Sequence, residues 1–143
     1  MTQARQLYQS RLSAIGCHVT LQEVGRANFE EAPDPPAVPP EVAISSSGIL
    51  IATRCPDFGE VNLEVWAGDP GRAPKGWEIV FDGQFETSAR GFDVGTATAS
   101  VFHVNAGPGN YSVRTEIQRD GASLVEGVRF VFLQRELDGI TLH

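Results

Sequence analysis

The sequence predicts an all-β fold, an antiparallel β-sandwich of about eight strands. Short runs of β-branched, aromatic and aliphatic residues recur from Gly48 onward, with glycine- and proline-rich turns between them. Most of these turns are too short for a crossover helix, so neighbouring strands should run mainly antiparallel. A chain of 143 residues, 41% of them hydrophobic, can bury one core, and we expect a single domain over residues 1–143.

The N-terminal segment, residues 1–29, contains two competing patterns ahead of the first strand. Apolar side chains at three- and four-residue steps before Gly16 predict a short helix over residues 2–15. Alternation favours an extended arm instead, because one face would carry Tyr8, Ser10, Leu12 and Ala14. A β-rich series over residues 17–24 then predicts the first strand.

A Pro-rich connector follows over residues 30–43. It holds five of the nine prolines, whose fixed φ angles and missing amide protons exclude a helix or a central strand. We expect an extended, polyproline-like segment there. The same segment could pack on a second copy of the chain, which would make the protein a homo-oligomeric assembly subunit.

The main sandwich, residues 44–143, begins with a nearly continuous apolar run over residues 48–54, which predicts a central strand. Residues 60–67 alternate and should turn one set of side chains inward: Val61, Leu63, Val65 and Ala67. A loop follows over residues 68–76.

The strand after this loop should place Trp77, Ile79 and Phe81 on one face. The dipeptide Asp82-Gly83 then predicts a tight hairpin turn, because both residues tolerate positive φ.

The second half of the sandwich predicts three more strands. The first covers residues 96–104 and ends at the turn over 106–110. The next alternates most clearly, with Tyr111, Val113, Thr115 and Ile117 on one face, and it ends at a second hairpin dipeptide, Asp120-Gly121. Residues 128–133 are apolar on both faces, which predicts a central strand.

The charge balance restricts the class of partner. Eleven basic residues against eighteen acidic ones give a net charge of -7, and residues 57–93 hold eight acids against three bases. Such a field repels nucleic acids and anionic lipid surfaces, so we expect no nucleic-acid partner and no membrane partner. A basic protein is the partner that the charge favours.

The two cysteines and the N-terminal composition bear on location. The first fifteen residues lack the apolar stretch of an export signal, and no apolar run approaches the ~20 residues of a membrane helix. A cytoplasmic location with reduced thiols is the expectation. Cys17 starts one predicted strand and Cys55 ends another, so a bridge between them is geometrically feasible in an oxidising compartment.

No motif with catalytic or cofactor chemistry occurs in the chain, so we expect no enzyme activity and no cofactor. The nucleophile elbow, the P-loop, the H-E-x-x-H metal motif and the EF-hand loop are all missing as sequence patterns. His103 lies inside a predicted strand between Phe102 and Val104, where a half-buried histidine with a hydrogen-bond partner is the ordinary interpretation. A hydrolase or metal enzyme built around His103 is the alternative.

Five residues in the acidic middle of the chain form the candidate partner-binding site: Glu64, Trp66, Glu78, Asp82 and Glu86. We expect them on neighbouring strands with outward side chains, and adjacent strands lie ~5 Å apart. Carboxylates around an aromatic anchor would suit a basic protein. An ordinary solvated face that keeps an acidic protein in solution is the alternative interpretation.

The C-terminal third resembles the closing strands of small bacterial β-sandwich proteins, including the family of competence protein J, a nuclease inhibitor. The residues that carry this resemblance are Gly109-Asn-Tyr-Ser-Val-Arg-Thr-Glu-Ile117 and, after a short hairpin, Val128-Arg-Phe-Val-Phe-Leu133. The resemblance implies a non-enzymatic acidic module that binds and restrains a partner, as inhibitor and immunity proteins do. It assigns no role to any individual residue.

Overall fold

Two β-sheets make up the part of the chain that this computed structural model describes, residues 3–24, 41–71, 74–87 and 91–142. Their strands, in chain order, are β1 (Arg5–Leu12), β2 (His18–Glu23), β3 (Val42–Ser45), β4 (Gly48–Ala52), β5 (Val61–Ala67), β6 (Trp77–Thr87), β7 (Phe92–Thr96), β8 (Ser100–Asn105), β9 (Gly109–Arg119), β10 (Val125–Phe132) and β11 (Asp138–Thr141). The five-stranded sheet has the order β1-β5-β10-β9-β6, and the six-stranded sheet has the order β11-β8-β7-β2-β4-β3. The all-β sandwich prediction is confirmed.

Antiparallel pairing dominates both sheets, as the short turns predict. Among the described strands, β5 and β10 form the one parallel pair. They lie far apart in sequence, which leaves room for the long connection that a parallel pair needs. β10 therefore lies between β5 and β9 in the middle of its sheet, where its apolar character on both faces predicts it to be.

The core lies between the two sheets. The inward residues of β5 are buried as their alternation predicts, and so are Val113, Thr115 and Ile117 of β9. Four phenylalanines contribute the largest fully buried side chains: Phe92, Phe102, Phe130 and Phe132. This packing leaves the outer faces of both sheets for contact with solvent or partners.

The N-terminal segment forms a strand, so the helix prediction is wrong and the extended alternative is correct. β1 pairs with β5 along the sheet, and its Tyr8 ring lies 5.1 Å from the ring of Phe102. The reason is tertiary: a short isolated helix is marginal in water, whereas a strand on β5 gains a full ladder of backbone hydrogen bonds and buries Tyr8 and Leu12 against the core.

The hairpin predicted at Asp82-Gly83 is also wrong, because both residues lie inside the continuous strand β6. Gly83 pairs with Val113, and the Phe81 ring packs over it. Because of a register shift between Ile79 and Phe81, the three residues of the predicted apolar face do not share one face of the strand. Trp77 and Ile79 consequently point to the outer face, while Phe81 packs against the core.

Further differences concern strand number and boundaries. The predicted strand over residues 96–104 corresponds to the last residue of β7, a turn and most of β8, and β3 is an additional edge strand. Most of the Pro-rich connector, residues 30–40, lies outside the described residues. Its last two residues, Val42 and Ala43, open β3 and pair with β4. The hairpin after β9 is confirmed, although its turn runs over five residues, 120–124, with Ser123 at positive φ.

A disulfide bond joins Cys17 and Cys55, whose Cα atoms lie 4.5 Å apart. The expectation of free, reduced thiols is therefore wrong in this structure. Cys17 directly precedes β2, and Cys55 follows β4 and begins the 3-10 turn Pro56–Phe58 as its N-cap. Because β2 and β4 are paired neighbours, their ends bring the two sulfurs together.

Candidate functional site

A row of charged side chains crosses the outer face of the five-stranded sheet. Strand register places Arg129 of β10 between Glu64 of β5 and Glu116 of β9. Arg129 donates from Nε to Glu64 Oε1 at 3.2 Å and from Nη1 to Glu116 Oε1 at 3.1 Å. The three side chains are only 9%, 10% and 0% exposed. Burial of these charges is tolerable because each carboxylate faces the guanidinium.

Two tryptophans cover this row. The Arg129 Cζ atom lies 4.5 Å from the Trp77 ring centroid and 5.9 Å from that of Trp66. Both distances fall within the range of cation–π attraction. The Trp77 ring reaches from β6 across β9 to β10, where a Cβ built on Gly127 would lie 2.9 Å from its Cη2 atom. Glycine at this position therefore makes the close approach of the ring feasible.

Glu64 is held in its ionised form by its neighbours. Burial acts to raise the pKa of Glu64, but hydrogen bonds from Trp66 and Arg129 and the charge of Arg129 outweigh it. The Trp66 indole donates from Nε1 to Glu64 Oε1 at 2.9 Å, and Asn62 donates to the other oxygen. The pKa of Glu64 thus lies below its ordinary value, and its carboxylate is committed to internal contacts.

Arg114 on β9 holds the loop after β5 against the same face through hydrogen bonds. It donates from both terminal nitrogens to Asp69, at 3.0 and 2.8 Å, and from Nε to Glu116 at 2.9 Å. Its hydrogen bonds lower the pKa of the Asp69 carboxyl. The guanidinium is therefore fully engaged by carboxylates of this chain.

An open cleft of about 690 Å³ lies between this loop and strands β6 and β9. Its apolar wall is formed by Pro74, Trp77 and Ile79, and Ile79 is 56% exposed. Its polar lining includes Asp69, Lys75, Arg114 and Glu116. The volume falls in the range of roughly 300–1,000 Å³ that is typical of ligand pockets.

The structure divides the five predicted site residues into two groups. Glu64 and Trp66 lie on β5, while Glu78, Asp82 and Glu86 lie on β6, and β10 and β9 separate these strands. The expectation of neighbouring strands is wrong, since three strand spacings amount to ~14 Å. Glu64 is also buried rather than exposed. The role of the five residues in partner binding stays a prediction.

The three carboxylates of β6 are exposed, as predicted, on the edge strand of the sheet. Glu78 accepts a hydrogen bond from Arg119 Nε at 2.7 Å. Asp82 stands opposite Arg114 in the register, and Glu86 stands opposite Asn110. Within the described ranges, neither Asp82 nor Glu86 forms an ion pair. These two charges are available for contact with a partner.

His103 is half-buried on β8 and hydrogen-bonds through Nδ1 to Asp93 Oδ1 at 2.7 Å, as its position in a strand predicts. In the portion of the chain that the structure covers, no group of three or more His, Cys, Asp or Glu residues is placed to hold a metal ion. No helix within that portion is long and apolar enough to cross a membrane.

Arg129, Glu116 and Arg114 are the site residues that the sequence interpretation missed. One signal was present: an arginine in the apolar strand Val128-Arg-Phe-Val-Phe requires a buried counter-charge or an outer face. The partners of Arg129 can be identified only when the order of the strands in the sheet is known.

Comparisons with known proteins identify the fold. No family model and no curated protein matches the sequence. The structure matches the crystal structure of ComJ, inhibitor of the DNA degrading activity of NucA, from Bacillus subtilis, with a TM-score of 0.60. The match covers 90% of this chain and 96% of that chain, at 10% sequence identity. The two chains share a fold. The resemblance in the last third of the sequence is thus supported at the level of the fold and extends to most of the chain.

Proposed function

We propose that the protein is a non-enzymatic, acidic protein-binding module of the inhibitor type, with a basic protein such as a nuclease or toxin as its partner. The observation that carries this proposal is the fold shared with a nuclease inhibitor over 90% of the chain. The net charge of -7 favours a partner of opposite sign.

The surface that we propose for contact is the edge strand β6 with its three exposed carboxylates, Glu78, Asp82 and Glu86. Asp82 and Glu86 point to the outer face of the sheet, and Glu78 points to the opposite side, where it meets Arg119. Opposite charges on two proteins raise the association rate, and salt screens this effect. Charges on an edge strand also prevent unwanted strand pairing, so the same residues would serve solubility if no partner existed. Binding measurements separate these two roles.

The test is affinity capture with the intact chain from an extract of its source organism, at low and high salt. We expect a basic protein to be captured at low salt and to degrade DNA less when the chain is added. Failure to capture a basic protein at either ionic strength, or unchanged DNA degradation by the captured protein, would contradict the proposal.

Two variants of equal charge test the surface. One neutralises β6 with Glu78→Gln, Asp82→Asn and Glu86→Gln; the control neutralises three exposed acids elsewhere: Asp57→Asn, Glu60→Gln and Glu136→Gln. We expect the first to slow association about ten-fold and the control to slow it much less. Equal effects would show that net charge matters and the β6 surface does not.

An assembly role for the Pro-rich segment and an enzyme role for His103 remain the other predictions. Light scattering of the chain with residues 30–43 deleted tests the first, because loss of an oligomer would favour it. The effect of His103→Ala on any hydrolytic activity tests the second. His103 already contacts Asp93, which agrees with a structural role.

The predicted cytoplasmic location rests on the lack of an export-signal pattern in the first fifteen residues, and reduced thiols are the expected consequence of that location. The Cys17–Cys55 disulfide disagrees with that consequence, because such bridges persist in oxidising compartments. Alkylation of intact cells before lysis tests the location: two modified cysteines indicate the reducing cytosol, and unmodified cysteines indicate an oxidising compartment.

A further inference from the structure

Asp82 is a carboxylate whose natural partner in the sheet is engaged elsewhere. It stands directly opposite Arg114 on the neighbouring strand, where opposite charges ordinarily pair. Arg114 donates instead to Asp69 and Glu116. Asp82 is left exposed on the outer face, with no ion pair to any residue in the described ranges.

An exposed apolar surface lies next to Asp82 on the same strand. Register pairing makes Ile79 the preceding residue of β6 that points to the outer face. Ile79 is 56% exposed and forms the wall of the 690 Å³ cleft together with Trp77. A side chain that carries both a hydrocarbon stem and a positive head would satisfy both features at once.

We propose that this cleft, together with Asp82, which lies outside the cleft lining but stands opposite the lining residue Arg114, is an anchor site for one arginine side chain of the basic partner protein. This inference rests on the proposed function and deepens it. The stem of the arginine lies on Ile79 and Trp77, and its guanidinium donates to the carboxylate of Asp82. Arginine fits better than lysine because its planar fork can donate two parallel hydrogen bonds to one carboxylate and its plane packs on an indole ring.

Four charged side chains line the cleft and set its limits: Asp69, Lys75, Arg114 and Glu116. Arg114 is paired with Asp69 and Glu116. Asp69 is 45% exposed, but both of its oxygens already accept hydrogen bonds from Arg114. Lys75 lines the cleft from the loop side, and it forms no ion pair inside the described ranges. Its ammonium opposes a bound guanidinium, so removal of this charge should strengthen binding.

The experiment uses the full oxidised chain and a blocked tripeptide, acetyl-Ala-Arg-Ala-amide, with the citrulline tripeptide as an uncharged control of the same shape. Binding is followed by the two tryptophan indole N–H signals in two-dimensional NMR. We expect the arginine peptide to shift the Trp77 signal in a saturable way. The Trp66 signal should move less, because its N–H is bonded to Glu64.

Matched variants then locate the charge. We expect Asp82→Asn to weaken peptide binding by about five-fold or more, Asp57→Asn to change it less than about two-fold, and Lys75→Gln to strengthen it about two-fold. Both aspartates are exposed and lose the same charge, and Asp57 lies outside the proposed contact surface. Unshifted spectra elsewhere show that each variant stays folded.

Three results would overturn the anchor site: equal binding of the citrulline peptide, equal weakening by Asp82→Asn and Asp57→Asn, or no movement of the Trp77 signal. If the cleft holds an aliphatic side chain and not a cation, the citrulline peptide would bind as well as the arginine peptide. Capture and inhibition of a partner that survive Asp82→Asn would overturn the anchor site and leave the proposed function standing. If the peptide binds as expected but no partner protein is captured, the proposed function is overturned and the anchor site stands.

Discussion

Removal of the Cys17–Cys55 bridge should destabilise the protein by about 4 kcal/mol. The two cysteines are 38 residues apart, and the bridge therefore closes a loop that the unfolded chain cannot open. For a loop of this size the chain-entropy relation gives about 13 cal/mol/K, or about 4 kcal/mol at 25 °C. Native bridges in small domains commonly contribute about 2–5 kcal/mol, so the value is of the usual size.

The measurement is urea unfolding followed by tryptophan fluorescence, on the oxidised protein and on the Cys17→Ser/Cys55→Ser variant. Serine retains the positive φ of 62° at position 17, so both proteins keep the same backbone strain and the difference isolates the bridge. Reductant should lower the stability of the oxidised protein to that of the variant and leave the variant unchanged. A difference below about 1 kcal/mol, or two titratable thiols in the oxidised protein, would refute the reasoning.

Three further predictions concern the charged row and its cover. Arg129→Met should cost about 3–5 kcal/mol in urea unfolding, because it leaves Glu64 and Glu116 buried without a counter-charge; adding Glu64→Gln and Glu116→Gln should recover part of the loss. The lowered pKa of Glu64 means that its ionised form stabilises the folded state above the ordinary value of 4.5, and this stability is lost as the pH falls through the folded-state pKa. Urea midpoints between about pH 6 and 3 should therefore fall less steeply for Glu64→Gln than for the unmodified protein, and parallel curves would contradict this. Gly127→Ala should destabilise by about 1–3 kcal/mol and change the fluorescence of Trp77, since the added methyl group meets the ring; unchanged fluorescence would show that the ring is not held there.

The strand pattern of the second half of the chain could be predicted because apolar and polar residues alternate along β9 and because β10 is apolar on both faces. Residues 111–118 alternate without interruption, and the structure buries the predicted face of β9. The wrong hairpin at Asp82-Gly83 has a local cause. The dipeptide suits a tight turn, but pairing with β9 along all of β6 supplies more hydrogen bonds and packing than a turn could.

The arrangement of the site depends on strand order, which single-strand patterns do not contain. Glu64 has the outward position that its alternation predicts, yet Arg129 and Trp66 bury it. Its distance from the carboxylates of β6 follows from the insertion of β10 and β9 between β5 and β6. The disulfide also depends on strand order, because only the pairing of β2 with β4 brings its two cysteines together.

The parallel pairing of β5 with β10 has a consequence for how the chain acquires its structure. β9 and β10 are joined by the short turn over residues 120–124 and can pair early, whereas β2, β3 and β4 separate β1 from β5 along the chain and β6 to β9 separate β5 from β10. Contacts between such distant segments slow folding, because the entropy of closing a long loop is lost before the contacts form. Until β5 and β10 pair, each presents an unpaired backbone edge, and these two edges are the sites at which a nascent or truncated chain would aggregate.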